Sequence, residues 1–132
     1  MIIAVDFDGT LCIENYPNIG EANTELINTL IARRQAGDKV ILWTCREETL
    51  LKNAVDWCKQ QGLEFDAIND NLEEIKLQYQ HNSRKITADI YIDDKARGMS
   101  AIEMYKGNME RWTSQPFVKH ASGSNGCIAV DC

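Results

Sequence analysis

Three short, largely apolar runs in this chain each stop abruptly at acidic or hydroxyl side chains. Ile2-Ile3-Ala4-Val5 stops at Asp6, Val40-Ile41-Leu42-Trp43 at Thr44, and Ala88-Asp89-Ile90-Tyr91-Ile92 at Asp93-Asp94. Apolar runs rich in β-branched residues predict strands buried on both faces, as in a parallel sheet covered by other layers. The intervening segments have helical spacing. Leu26, Ile27, Leu30 and Ile31 form one face from about Asn23, and Arg33, Arg34 and Gly37 form a stop signal. Glu47 and Glu48 suit the first turn of a second helix with Leu50, Leu51, Ala54, Val55 and Cys58 on its apolar face and Gly62 at its end. A shorter strand is expected around Asp66-Ala67-Ile68, and the segment 69–84 is polar and weakly helical.

Strand, helix, strand, helix, strand in this rhythm predicts an α/β protein: a three-layer, Rossmann-like fold with a mainly parallel central sheet. At 132 residues the chain suits one domain. Residues 1–112 read as its core, with Met99 to Trp112 helical, and 113–132 as a C-terminal extension, loop or short edge strand. The formal charge of −6 argues against general affinity for nucleic acid or an anionic membrane. The five cysteines are odd in number and lack the C-x-x-C spacing of a zinc or redox site, so reduced thiols are expected. Cys127 and Cys132 near the end could pair or bind a metal, against which stands the missing metal-ligand pattern around them. The start has no basic n-region before its apolar run, and no apolar stretch is long enough to span a bilayer, so a cytoplasmic protein is expected.

In an open parallel sheet the carboxyl ends of the strands share one edge, where ligands bind. Asp6 and Asp8, Thr44, and Asp93 and Asp94 are therefore expected to converge although far apart in sequence. Four carboxylates in one small volume repel one another, and a hard divalent cation relieves them. Mg²⁺ suits such a place, since it takes few carboxylates and completes its shell with water and substrate phosphate.

Asp6-Phe7-Asp8-Gly9-Thr10, Thr44 after an apolar strand, a lysine upstream of the last strand and the pair Asp93-Asp94 occur in the order of the haloacid dehalogenase-like superfamily. Over residues 1–96 the chain resembles its small capless phosphatases. Tyr16-Pro17, Leu42-Trp43-Thr44 and Ser83-Arg84-Lys85 add to the likeness. The resemblance implies a Mg²⁺-dependent phosphohydrolase acting on a phosphorylated substrate. Asp6 would be the nucleophile and Asp8 the proton donor and acceptor. Thr44 and Lys85 would contact the phosphoryl group, with Gly9 letting the backbone turn sharply beside it. Asp6, Asp93 and the backbone carbonyl of Asp8 would hold the metal, and Asp94 would reach it through water. Lys76 and Lys95 compete with Lys85 for the lysine role. Arg46, just after Thr44, could contact phosphate or a second anionic group, or pair with Glu47 or Glu48.

No segment here is long enough for a cap domain, so the site should be open unless the tail or a second copy in a homo-oligomer covers it. Each motif alone has a plain structural reading: a turn at Asp8-Gly9, a helix cap at Thr44, a solvated strand end at Asp93-Asp94. Two other functional classes stand beside the phosphohydrolase. One is a non-catalytic Mg²⁺- or phosphate-binding module of the same fold. The other is a receiver-like phosphoacceptor domain, for which the Asp-x-Asp-Gly-Thr order is wrong.

Overall fold

The structure, a computed structural model, describes residues 1–96. The expected helix at 99–112 and the extension at 113–132 lie outside the described residues. The elements are β1 (Ile2–Val5), α1 (Thr24–Gln35), β2 (Lys39–Leu42), α2 (Glu48–Gln60), β3 (Ala67–Ile68), α3 (Glu73–Tyr79) and β4 (Ile90–Ile92). The four strands form one sheet in the order β3-β2-β1-β4, and every pairing is parallel. This is the α/β, Rossmann-like architecture expected from the alternating pattern.

The sheet is packed on both faces, which is why its strands are apolar except for the exposed Lys39 at the start of β2. On one face Ile3, Val5, Val40 and Leu42 pack with Leu26, Ile27 and Leu30 of α1 and with Ala54 and Cys58 of α2. On the other, Ala4 and Ile41 pack with Leu72 and Ile86, from the segment joining β3 to β4. Asn23 caps α1 through its side chain, which accepts from the Leu26 N–H at 3.3 Å, satisfying one of the helix's free donors.

Two strand boundaries differ from expectation. β2 begins and ends one residue earlier, and β4 starts at Ile90 instead of Ala88. Asp89 explains the second. Its N–H donates to the Ile2 carbonyl at 2.8 Å, and its carboxylate accepts from the Ile2 N–H at 2.7 Å. A side chain thus takes the place of one backbone acceptor where the ladder would begin.

Register positions the functional edge. Val5 lies beside Leu42 on one side and Ile92 on the other. Asp6, Trp43 and Asp93 are therefore the next residues on three adjacent strands. The Asp6 N–H still reaches the Ile92 carbonyl at 2.9 Å and the Trp43 N–H the Val5 carbonyl at 2.8 Å.

Candidate active site

Asp6, Asp8, Glu14, Tyr16, Thr44, Cys45, Arg46, Asp93, Asp94 and Lys95 line a cavity of about 330 Å³ at this edge. Of the residues singled out in the sequence, Asp6, Asp8, Thr44, Arg46, Asp93 and Asp94 come together here. Gly9 and Lys85 do not line the cavity.

Asp6, Asp93 and Asp94 each offer a carboxylate oxygen within 4.8 Å of the others. Thr10, buried behind them, ties the first strand end to the last. Its hydroxyl donates to Asp6 Oδ2 at 3.1 Å and accepts from the Asp94 N–H at 3.0 Å. Burial pushes the Asp6 carboxyl up, and the Asp93 charge and the Asp94 carboxyl push it further, to about 8, against the Thr10 hydrogen bond. Asp93 is raised too, first by burial and then by Asp94, against the Lys95 N–H that it accepts.

Gly9 has a structural reason to be glycine. Its φ is +79°, and a Cβ there would lie 2.4 Å from Asp94 Oδ2. The glycine lets the turn after β1 close against the Asp94 carboxylate.

Asp8 faces the cavity with both oxygens bound to Arg46: Nε donates to Oδ2 and Nη2 to Oδ1, each at 2.8 Å. Arg46 is only 2 % exposed. Its Nη2 also donates to the Asn18 carbonyl at 3.0 Å, and the guanidinium carbon lies 5.0 Å from the Phe7 ring centroid and 5.2 Å from that of Tyr16. The expected role of Arg46 as a surface partner of Glu47 or Glu48 is therefore overturned. The turn after β2 directs the side chain inward beneath residues 16–18, where three of its five N–H donors bind Asp8 and the Asn18 carbonyl.

Thr44 is half-buried and fixed at both ends. Its N–H donates to Asn69 Oδ1 at 2.8 Å and its hydroxyl oxygen accepts from the Arg46 N–H at 3.1 Å, leaving the hydroxyl proton for a ligand. Lys85 stands elsewhere. The chain enters β4 from the sheet's opposite end, Ile86 is buried in the second core cluster, and the Lys85 ammonium lies 5.2 Å from the Tyr91 ring centroid. Lys76 pairs with Asp70 at 2.6 Å and Glu73 at 3.1 Å. The cavity lysine is Lys95, directly after the acidic pair.

Sequence reasoning gave no role to Glu14 or Asn69, nor to Thr10 and Tyr16 beyond their place in the motifs. Thr10 could have been found as a hydroxyl one residue past the turn glycine. Glu14 and Tyr16 follow the Asp-rich loop closely enough to share its edge. Asn69 carries no local signal, since only the pairing of β2 with β3 brings it to Thr44.

The donor set suits a cation. Hard oxygen ligands converge, burial disfavours bare charge on Asp6 and Asp93, and among the described residues Lys95 is the cavity's one basic side chain not already paired with a carboxylate. Mg²⁺ is compatible with this set.

No protein-family model matches the chain, and no curated protein does. It is similar to a solved structure described as that of the conserved protein coded by a locus of Bacteroides thetaiotaomicron. The two are 40 % identical over 87 % of this chain and 98 % of the other, with a TM-score of 0.67. No helix among the described residues is long and apolar enough to cross a membrane.

Proposed function

We propose that this chain, which belongs to the same family as that conserved Bacteroides protein, is a Mg²⁺-dependent phosphomonoesterase of the haloacid dehalogenase-like type, working through an aspartyl-phosphate on Asp6. The supporting observation is the division of labour at the cavity. Asp6 lies in an acidic trio with Asp93 and Asp94, whereas Asp8, two residues along, is held apart from it by Arg46.

Asp6, Asp93 and Asp94 would hold the cation, with the Asp8 carbonyl as a further oxygen. When bound, the metal supplies positive charge that offsets the phosphate and the nucleophile. Asp8 first takes the proton carried by the substrate's phosphate monoanion. Asp6 attacks phosphorus as the bond to the leaving oxygen breaks, and Asp8 passes that proton to the leaving oxygen. Asp8 then takes a proton from water, the water oxygen bonds to phosphorus, and the bond to Asp6 breaks. Asp8 returns this proton to the departing phosphate, and both side chains regain their ionised starting states. Each Asp8 oxygen accepts one Arg46 hydrogen bond and keeps lone-pair capacity for this shuttle. The Thr44 hydroxyl donates to a phosphoryl oxygen, and Lys95 adds positive charge on the open side.

The test is a screen of the purified chain against a broad panel of phosphomonoesters, with Mg²⁺ and with chelator. The reading predicts Mg²⁺-dependent release of phosphate that vanishes in Asp6→Asn. Activity that survives this change at near-parental rate would defeat it.

A further inference from the structure

Arginine is among the residues least often fully buried, yet Arg46 is among the largest fully buried side chains of this chain. Its donors bind three separate segments. Nε and Nη2 hold Asp8 in the loop after β1, Nη2 also holds the carbonyl of Asn18, and Nη1 lies 3.5 Å from the Leu50 carbonyl in the first turns of α2. Phe7 and Tyr16 approach the guanidinium with their rings. A lysine could replace the charge but neither the planar fork nor the stacking.

Two observations separate this pair from a plain structural staple. The Arg46 side chain is 1 % exposed while that of Asp8 is 16 % exposed, so the pair shows the cavity its carboxylate end. The same guanidinium also grips the loop that carries Tyr16, and Tyr16 and Glu14 line the cavity mouth. The Glu14 carboxylate in turn accepts from the Tyr16 N–H at 2.9 Å, which fixes these two residues relative to each other.

We infer that Arg46 is a positioning residue that fixes the orientation of the Asp8 carboxylate and couples it to the 14–18 loop at the cavity mouth. This rests on the phosphomonoesterase reading for its kinetic consequence, though the coupling itself is a statement about geometry. Asp8 cannot turn away from the reacting centre without leaving a buried guanidinium uncompensated. The loop cannot lift without stripping the guanidinium of Tyr16 and Asn18. A leaving group resting on Glu14 and Tyr16 therefore presses on the support of the group that protonates it.

The experiment compares the parent with Arg46→Lys, Tyr16→Leu, Asp8→Asn and the double variant Arg46→Lys/Asp8→Asn. Rates are measured on phosphomonoesters ranging from activated aryl to alkyl leaving groups. In Arg46→Lys, kcat should fall roughly tenfold to a hundredfold on alkyl esters, within or below the range for losing an acid–base group. It should change little on activated aryl esters, which need no proton in the first step, and KM should hold. Tyr16→Leu should show the same dependence with a smaller amplitude. The double variant should be no slower than Asp8→Asn, because the two residues act as one unit. Equal loss across leaving groups, a loss confined to KM, or full additivity with Asp8→Asn would overturn the inference. If Arg46→Lys fails to fold by circular dichroism, Tyr16→Leu decides, since it leaves both charges in place; parental behaviour there overturns the coupling. If the parent hydrolyses no phosphomonoester, the functional reading falls, and crystal structures of Tyr16→Leu and Arg46→Lys still judge the geometry. Asp8 is expected to leave its single parental rotamer, and an unchanged Asp8 in both would refute the coupling.

Discussion

Aspartates stand at both ends of this sheet, and the two ends treat them in opposite ways. Asp38, Asp66 and Asp89 each come one residue before a strand, at the amino edge. Each has a donor. Asp38 takes the chain's N-terminal ammonium at 2.7 Å and Arg33 at 2.6 Å, Asp66 takes a two-point contact from Arg34 and the Val40 N–H, and Asp89 takes the Ile2 N–H. Asp6 and Asp93 come one residue after a strand, at the carboxyl edge, and face each other and Asp94. The N-terminal ammonium's hydrogen bond leads the effects that hold Asp38 below the ordinary carboxylate range. Burial works against Asp66, but the Arg34 hydrogen bond and the Val40 N–H outweigh it and hold it low as well. Asp6 and Asp93 are raised. The amino edge is finished with internal partners, so its carboxylates stabilise the fold. The carboxyl edge concentrates like charge, which destabilises the fold until a ligand supplies the opposite sign.

The sharpest way to break this contrast is Asp6→Asn, expected to lower turnover to background. The same change should stabilise the protein in chelator. The folded-state value of Asp6, about 8, lies above the ordinary 3.8, so between those values the native state holds a proton that the unfolded chain has released. Stability of the metal-free parent therefore falls as pH rises through this window. The variant escapes that loss, and its advantage should grow toward pH 8 to the order of a few kcal/mol, one pKa unit being about 1.4 kcal/mol. Thermal unfolding of both proteins in chelator across pH 5–8 checks it, and a parent that grows more stable with pH would contradict the sign.

Metal removal addresses the same edge. Chelator should abolish turnover, and Mg²⁺ should restore it while raising the unfolding temperature, since a ligand that binds only the native state stabilises it. Full activity in chelator would leave the acidic trio without its proposed role. Asp8→Asn should cost less than either, roughly 10²–10⁴-fold in hydrolysis, with Mg²⁺ affinity by calorimetry retained. Loss of metal binding would make the Asp8 side chain a ligand after all.

Much of the carboxyl edge was legible in the sequence because strand ends are easy to read and parallel topology gathers them. Asp6, Asp8, Thr44, Asp93 and Asp94 each stand directly after an apolar run or within its turn, so the order of elements alone brings them together. What the sequence hid depends on side-chain direction and on long connections. Arg46 lies next to Thr44, yet whether it faces solvent or core is set by the path of the turn after β2 and by the covering loop. The Asn69 contact to Thr44 needs the β2–β3 pairing. The amino-edge partners were invisible for the same reason, since Arg34 and Asp66 meet only when α1 has packed on the sheet.

Asp66→Asn probes that finished edge. It removes one charge from the Arg34 pair while keeping a hydrogen-bond acceptor, and should cost about 1–2 kcal/mol of stability, as for a charge-assisted hydrogen bond. Turnover should not change. Because the folded value of Asp66 is depressed, its contribution is present above the unfolded carboxyl value and is lost as pH falls through the folded one. The gap between parent and variant in urea titrations should therefore close in acid. A gap that widened in acid, or a lower kcat at neutral pH, would erase the distinction between the two edges.

The smallest expected effect comes from Lys85, and it bears on which lysine serves the carboxyl edge. The resemblance to haloacid dehalogenase-like phosphatases favours a lysine upstream of the last strand. A residue there approaches the sheet from the amino side, because β4 runs parallel to β1. Lys85 is accordingly exposed, with its ammonium over the Tyr91 ring, an interaction worth roughly 0.5–1 kcal/mol at an exposed site. Lys95 follows Asp93 and Asp94 and lines the cavity. Lys85→Met should leave kcat/KM at the parental value and lower stability by no more than that cation–π contribution. Lys95→Met should lower kcat/KM about tenfold, less than the 10²–10³ in kcat that a buried, fixed oxyanion donor provides, because its side chain is exposed and screened. Both variants are to be assayed at saturating Mg²⁺ and at low and high salt. The Lys95 effect should shrink as salt rises, and the Lys85 result should stay flat. A large, salt-independent loss in Lys85→Met would place that ammonium on the phosphoryl group and return the lysine role to the segment before β4.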